Sequence, residues 1–313
     1  MGTKGHWIAA GGALATAVAL TVVGSPWRRG GSAGAPTRPV RVTAPATTPT
    51  DWITTNQALT VGGIARRYLL VRPAATSKTA LPVVVVLHGR NATPEIEEQR
   101  TGLPALVGPA ILVYPAGYQE SWNAGTCCAG AHAAGVDDGA VRGSVVHRVR
   151  TSQHDAAAGR VFLVGFSNGG KMAFRLACAE PDVFDAVAVV GAVPVSACEH
   201  PPAVPFAELA FDSDPLLSLT PAEPHKVVNG FSQASIEEEA AALRAANACR
   251  GDGRHEVLGT LTVTRWTDCR TGKAVELGVY QGHIHVWPAG DAVTPSAGQA
   301  IWTFFRSITE DHR

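Results

Sequence analysis

The chain has 313 residues, 46% of them hydrophobic and 17% charged, with 26 Lys and Arg set against 26 Asp and Glu. That length is enough for one large domain with a buried core, or for two small ones, and the composition is that of a globular protein. A formal net charge of zero creates no field of one sign, so no nucleic-acid partner is expected.

At the start, Lys4 precedes an apolar run from Trp7 to Val23 that carries no charge, and Arg28 and Arg29 follow it. Residues 1–29 read as an export segment. Two forms stay open: a signal peptide cut near Gly24-Ser25, or an uncleaved anchor, the one route by which a membrane becomes a partner. Residues 30–50 are mostly Gly, Ala, Pro and Thr, including Ala44-Pro45-Ala46-Thr47-Thr48-Pro49. Such a stretch buries too little apolar surface to fold and reads as a linker. The folded domain is expected over residues 51–313.

Leu59 to Val71 alternates like one or two antiparallel edge strands. Pro82 to Leu87, with four consecutive valines, reads as a strand buried on both faces. Similar apolar runs cover 110–114, 160–164, 186–190 and 204–211, and a further strand is expected over Val275–Tyr280. Helical periodicity covers 137–150, 169–179 and 235–248, and a last helix carries Ile301, Phe304, Phe305 and Ile308 at helical spacing. Strands alternating with helices predict an α/β protein with a mainly parallel sheet covered on both faces. Such a sheet places its chemistry at the carboxyl ends of its strands.

Six cysteines, at 127, 128, 178, 198, 249 and 269, all lie beyond the export segment and predict three disulfides. Cys249 and Cys269 are expected to pair, a bridge contributing roughly 3 kcal/mol. Cys127, Cys128, Cys178 and Cys198 allow three pairings. Adjacent cysteines rarely bond to each other, so two long-range bridges are expected among these four. No Cys-x-x-Cys spacing supports a metal.

Gly165-Phe166-Ser167-Asn168-Gly169 matches Gly-x-Ser-x-Gly between a predicted strand and a predicted helix. In that context the serine sits at the apex of a sharp reversal, exposed as a nucleophile, which is the elbow of the α/β-hydrolase fold. An oxyanion hole needs two donors. The backbone N–H of Asn168, the residue after the nucleophile, is one; the N–H of Arg90, in the loop His88-Gly89-Arg90 after an earlier strand, is assigned as the other. His88 itself is expected to be a packed loop histidine.

The serine needs a base and the base a carboxylate, in the chain order Ser, acid, His. Phe211-Asp212-Ser213-Asp214-Pro215 follows a strand. Asp214 is favoured as the acid and Asp212 as a turn cap. His283 and His285 lie in a loop after the 275–280 strand, and spacing does not choose between them. A metal held by this His-x-His pair lacks an evident third ligand. His225 and His255 read as surface residues.

These residues together resemble the secreted polyhydroxybutyrate depolymerase-like esterases, which include feruloyl and acetylxylan esterases. The resemblance runs from about Leu59 to Ile308. It is strongest at Leu87-His88-Gly89, Ser121–Cys128, Gly135-Val136-Asp137-Asp138, Gly165–Gly170 and His285-Val286-Trp287-Pro288. It implies His285 as the base, because the family histidine stands two positions before Trp-Pro, and Asp214 as the acid. The chain departs from the family at Gly282-His283-Ile284, at Ala210–Ser213 and at Lys171, where an apolar residue is usual. The expected activity is ester hydrolysis through an acyl-enzyme, with no cofactor or metal required. The substrate would be an ester derived from plant polysaccharide or a polyester oligomer. Trp122 and Trp287, with Trp266, are candidate walls for it, although tryptophan in a chain of this size is more often core. The rival expectations are a non-catalytic binding protein on the same scaffold, and a peptidase or acyltransferase with the same triad.

Overall fold

A computed structural model describes residues 51–153, 156 and 160–310, with the backbone alone at 142, 271 and 310. The predicted export segment and linker lie outside the described residues. In chain order the strands are β1 (Trp52–Val61), β2 (Ile64–Pro73), β3 (Val83–Leu87), β4 (Ile111–Pro115), β5 (Val161–Phe166), β6 (Ala186–Val190), β7 (Phe206–Phe211), β8 (Val227–Val228), β9 (Phe231–Ser232), β10 (Arg254–Leu258), β11 (Leu261–Trp266) and β12 (Val275–Tyr280). The helices are α1 (Pro94–Thr101), α2 (Leu103–Leu106), α3 (Ala129–Ala133), α4 (Asp138–Ser152), α5 (Asn168–Ala179), α6 (Ile236–Ala246) and α7 (Ala297–Glu310).

Ten strands form one sheet in the order β1-β2-β4-β3-β5-β6-β7-β12-β11-β10. From β4 to β12 the neighbours are parallel, and β1, β2, β10 and β11 extend the sheet antiparallel at its two edges. The valine run of β3 shows why. Val83, Val85 and Leu87 point to one face, against Val141, Val145 and Val149 of α4 and Met172 of α5. Val84 and Val86 point to the other, against Ile301, Phe304, Phe305 and Ile308 of α7. A strand covered on both faces has no polar side and so reads as an unbroken apolar run. Each fully buried α7 side chain contributes roughly 2 kcal/mol.

The alternation from Leu59 is two strands. β1 and β2 pair from Trp52↔Pro73 to Val61↔Ile64 across Gly62-Gly63, whose φ values of 56° and 78° suit a tight hairpin turn. The β10–β11 hairpin was not anticipated. It occupies the span between Cys249 and Cys269, which are bonded to each other, so that bridge closes a hairpin rather than a plain loop.

The expectation of two long-range bridges among the other four cysteines is corrected. Cys178 is bonded to Cys198, but Cys127 is bonded to its neighbour Cys128. Position along α5 explains the sorting. Cys127 and Cys128 lie beside Ser167 at the start of this helix, whereas Cys178 is in its last turn. Ten helical residues separate the two places by roughly 15 Å, beyond the reach of a disulfide.

Candidate active site

β5 ends at Phe166 and α5 begins at Asn168, leaving Ser167 alone at the reversal with φ 52° and ψ −115°. A side-chain-bearing residue holds such a conformation only where its surroundings fix it. Here the surroundings are β3, which pairs with β5 through Leu87↔Gly165, and the first turn of α5. A Cβ on Gly165 would run into the carbonyl of Gly169, and a Cβ on Gly169 into the carbonyl of Leu87. The two glycines of the motif therefore let strand, helix and neighbouring strand meet by backbone contact.

β7 and β12 end side by side, with Phe211↔Tyr280 the last pair. The loops that follow carry Asp214 and His285 to the serine. His285 Nδ1 lies 2.7 Å from Asp214 Oδ2, and His285 Nε2 lies 2.8 Å from Ser167 Oγ. An ionised carboxylate only accepts, so Nδ1–H donates to Asp214 and Nε2 is left to accept the serine hydroxyl proton. Asp214 Oδ1 accepts the Leu216 N–H at 2.8 Å, and the Asp214 side chain is 3% exposed. The imidazole stacks on Phe166 and meets Phe211 edge-on, so the aromatics fix its plane.

Asp212 and His283 are not brought to Ser167. Asp212 Oδ1 accepts the Gly282 N–H at 2.8 Å and the Ser213 hydroxyl at 3.1 Å, tying the two loops together. His283 packs edge-on against Tyr280, and its carbonyl accepts the Ser213 N–H.

On the other side of the serine, the loop after β3 is held from beneath. His88 is fully buried; its Nδ1–H donates to the Gly89 carbonyl at 2.7 Å and its Nε2 accepts the Gly117 N–H at 2.9 Å. Burial lowers its pKa to about 4, which keeps the ring neutral with one donor and one acceptor nitrogen. Asn168 is clamped in the same way: its side-chain oxygen accepts the Trp122 N–H and its amide donates to the Trp122 carbonyl, at 2.8 and 3.1 Å. No acceptor takes the backbone N–H of Arg90 or Asn168 among the described residues. Both residues line the cavity that holds Ser167.

That cavity has a volume of about 390 Å³ and is also lined by Lys171, Lys226 and Gln233. Of the two readings of the tryptophans, the core one agrees with the structure and the candidate wall is not formed. Trp122 is 1% exposed, with its indole N–H donating to the His88 carbonyl, and Trp287 is 5% exposed and packed edge-on against Phe166. Trp266 is likewise buried, beneath the Arg244 guanidinium. Their apolar area is used in the core and not in the cavity. One cavity wall is instead the β8–β9 hairpin, which sequence reasoning missed. Its signal was present: Asn229-Gly230, between Val227-Val228 and Phe231, is the dipeptide of a tight hairpin turn. Asn229 and Gly230 have φ 48° and 81°, and the Asn229 amide donates to the Thr126 carbonyl at 2.6 Å, docking the hairpin beside the Cys127–Cys128 bridge.

Comparisons with known proteins agree with this architecture. Residues 66–239, more than half of the chain, match the family model described as Esterase PHB depolymerase. The protein named "Putative esterase NocK", from Nocardia uniformis subsp. tsuyamanensis, is 31% identical over 286 residues, which cover 82% of this chain and 83% of that one. Feruloyl esterase B of Neurospora crassa is 30% identical over 132 residues, 41% of this chain and 44% of its own. The acetyl xylan esterase from Aspergillus awamori superposes with a TM-score of 0.54 over 81% of this chain and 99% of that one; at 14% identity this is a likeness of fold. The chain is an esterase of the α/β-hydrolase fold and belongs to the polyhydroxybutyrate depolymerase-like esterase family.

Proposed function

We propose that this esterase is a serine hydrolase of carboxylic esters that works outside the cytoplasm. The observation that carries the reading is the unbroken hydrogen-bonded chain from Asp214 through His285 to Ser167, at 2.7 and 2.8 Å. In this mechanism His285 takes the proton of Ser167 as its Oγ attacks the ester carbonyl. The N–H groups of Asn168 and Arg90 stabilise the oxyanion, and Asp214 orients the imidazole and supports its charge. The same histidine then protonates the leaving alcohol. Water, deprotonated by His285, releases the acid and restores the serine.

Export is supported by the apolar segment from Trp7 to Val23 and by disulfides among the described residues, which persist in oxidising compartments. Esters of plant-polysaccharide or polyester-oligomer type fit the family. The test is turnover of p-nitrophenyl acetate by the full chain and by Ser167→Ala. The substitution is expected to lower kcat by at least about 10³-fold. Equal rates for the two proteins would overturn the serine mechanism.

A further inference from the structure

The cavity beside Ser167 is lined by three cationic side chains, Arg90, Lys171 and Lys226, and by no Asp or Glu. None of the three has an ion pair or a side-chain hydrogen bond among the described residues. Lys171 is placed against several unfavourable terms at once. It stands in the first turn of α5, where the helix dipole disfavours a cation. Burial lowers its pKa to about 8, the Arg90 guanidinium pushes the same way, and only the Asp214 carboxylate opposes them. Arg90 and Lys171 are thus near enough to repel, and neither is held in an ion pair among the described residues.

A second observation points to a ligand in the same place. Gln233 lines this cavity and is 1% exposed, yet neither its amide nitrogen nor its amide oxygen has a hydrogen-bond partner. A buried amide left without partners costs about 1–3 kcal/mol per group. The amide keeps two donors and one acceptor unused beside this cavity. Leu216 and Val227, 53% and 64% exposed, add apolar surface beside these cations.

We infer that the ester this enzyme cleaves carries an anionic group, a carboxylate, which docks among Arg90, Lys171 and Lys226 in the cavity that Gln233 also lines. The inference rests on the serine-esterase reading above and names its substrate class. An incoming carboxylate relieves the repulsion between Arg90 and Lys171 and gives the Lys171 ammonium the partner the chain does not supply. Charge-assisted hydrogen bonds of this kind are the strong ones.

The test uses matched ester pairs in which a carboxylate replaces a methyl group. Monomethyl adipate against methyl hexanoate places the charge on the acyl side; γ-acetoxybutyrate against butyl acetate places it on the alcohol side. In a pH-stat assay at low salt, kcat/KM for the charged member of at least one pair is expected to exceed its neutral partner by roughly tenfold or more. The excess should shrink as salt is added and fall to within about twofold in Lys171→Met/Lys226→Met. Equal rates within both pairs, or a preference that survives the double substitution, would overturn the inference. A second readout does not need turnover. Calorimetry on Ser167→Ala should give binding of the charged ester of the preferred pair that is lost when Lys171→Met and Lys226→Met are added. If Ser167→Ala turns over p-nitrophenyl acetate as fast as wild type but this charge-dependent binding persists, the serine mechanism fails and the anion site stands. Turnover of both members of each pair without charge-dependent binding leaves the mechanism standing and removes the anion site.

Discussion

Two aspartates one residue apart in sequence are given different work by where their oxygens point. Asp214 has both oxygens engaged, one by His285 and one by the Leu216 N–H, while Asp212 bonds the backbone of the neighbouring loop. Asp214→Asn is therefore expected to lower kcat for p-nitrophenyl acetate by about 10³–10⁴-fold with little change in KM, because the imidazole loses the acceptor that fixes its tautomer. Asp212→Asn removes no partner of His285 and should stay within about tenfold of wild type. Steady-state kinetics on the two variants decides between them; a larger loss for Asp212→Asn would contradict the assignment. The bland expectation for His88, a packed loop histidine, agrees with its burial. Packing it also secures the loop carrying Arg90, because its two ring nitrogens hold Gly89 and Gly117.

At the scale of elements, the junction of β3, β5 and α5 leaves no room for a methyl group. Gly169→Ala sets a Cβ against the Leu87 carbonyl, a backbone atom that cannot move without parting β3 from β5. The expected result is a loss of about 1–3 kcal/mol in stability, read from urea midpoints, together with a lower kcat because Ser167 shifts. Unchanged stability would show that the junction is looser than described. This junction was legible in the sequence because it is local: a valine-rich strand, a glycine–serine–glycine reversal and a helix follow one another within a few residues. The parallel strands of the core were legible for the same reason, since burial on both faces leaves an unmistakable apolar run. The β10–β11 hairpin was not, because Arg254–Leu258 is an exposed edge strand that carries charges and buries little apolar surface. The β8–β9 hairpin has only two residues in each strand, too few for a period to be read. Trp122 and Trp287 stayed open between core and cavity wall, with core favoured, because composition identifies an aromatic but not the side of the loop on which it packs.

Over the whole molecule the charges cancel in number, yet several acids are buried where they resist ionisation. Burial raises Glu239 to about 7 and Glu97 to about 7, and raises Glu208, which is fully buried and also feels the Glu239 charge, well above the usual range. A carboxyl with a raised folded-state pKa stabilises the fold fully below its unfolded pKa, near 4.5, and that contribution is lost as pH rises through the folded value. His88, lowered to about 4, works in the opposite sense: its contribution is present above about 6.5 and lost as pH falls toward 4. The two effects overlap between pH 4.5 and 6.5, so a single melting curve does not separate them. The difference between wild type and Glu239→Gln does. The substitution is expected to gain roughly 3 kcal/mol relative to wild type on going from pH 4.5 to pH 8, measured by denaturant unfolding at each pH. A difference that stays constant across that range would contradict the raised pKa.

The central claim is that Ser167 is the nucleophile and that His285 activates it. Mass spectrometry of the full chain after reaction with a fluorophosphonate tests it most directly. A single adduct is expected, located on the peptide that carries Gly165-Phe166-Ser167-Asn168-Gly169, absent in Ser167→Ala and formed at least about 10²-fold more slowly in His285→Ala. An adduct on another residue, or labelling of Ser167→Ala at the wild-type rate, would contradict the account.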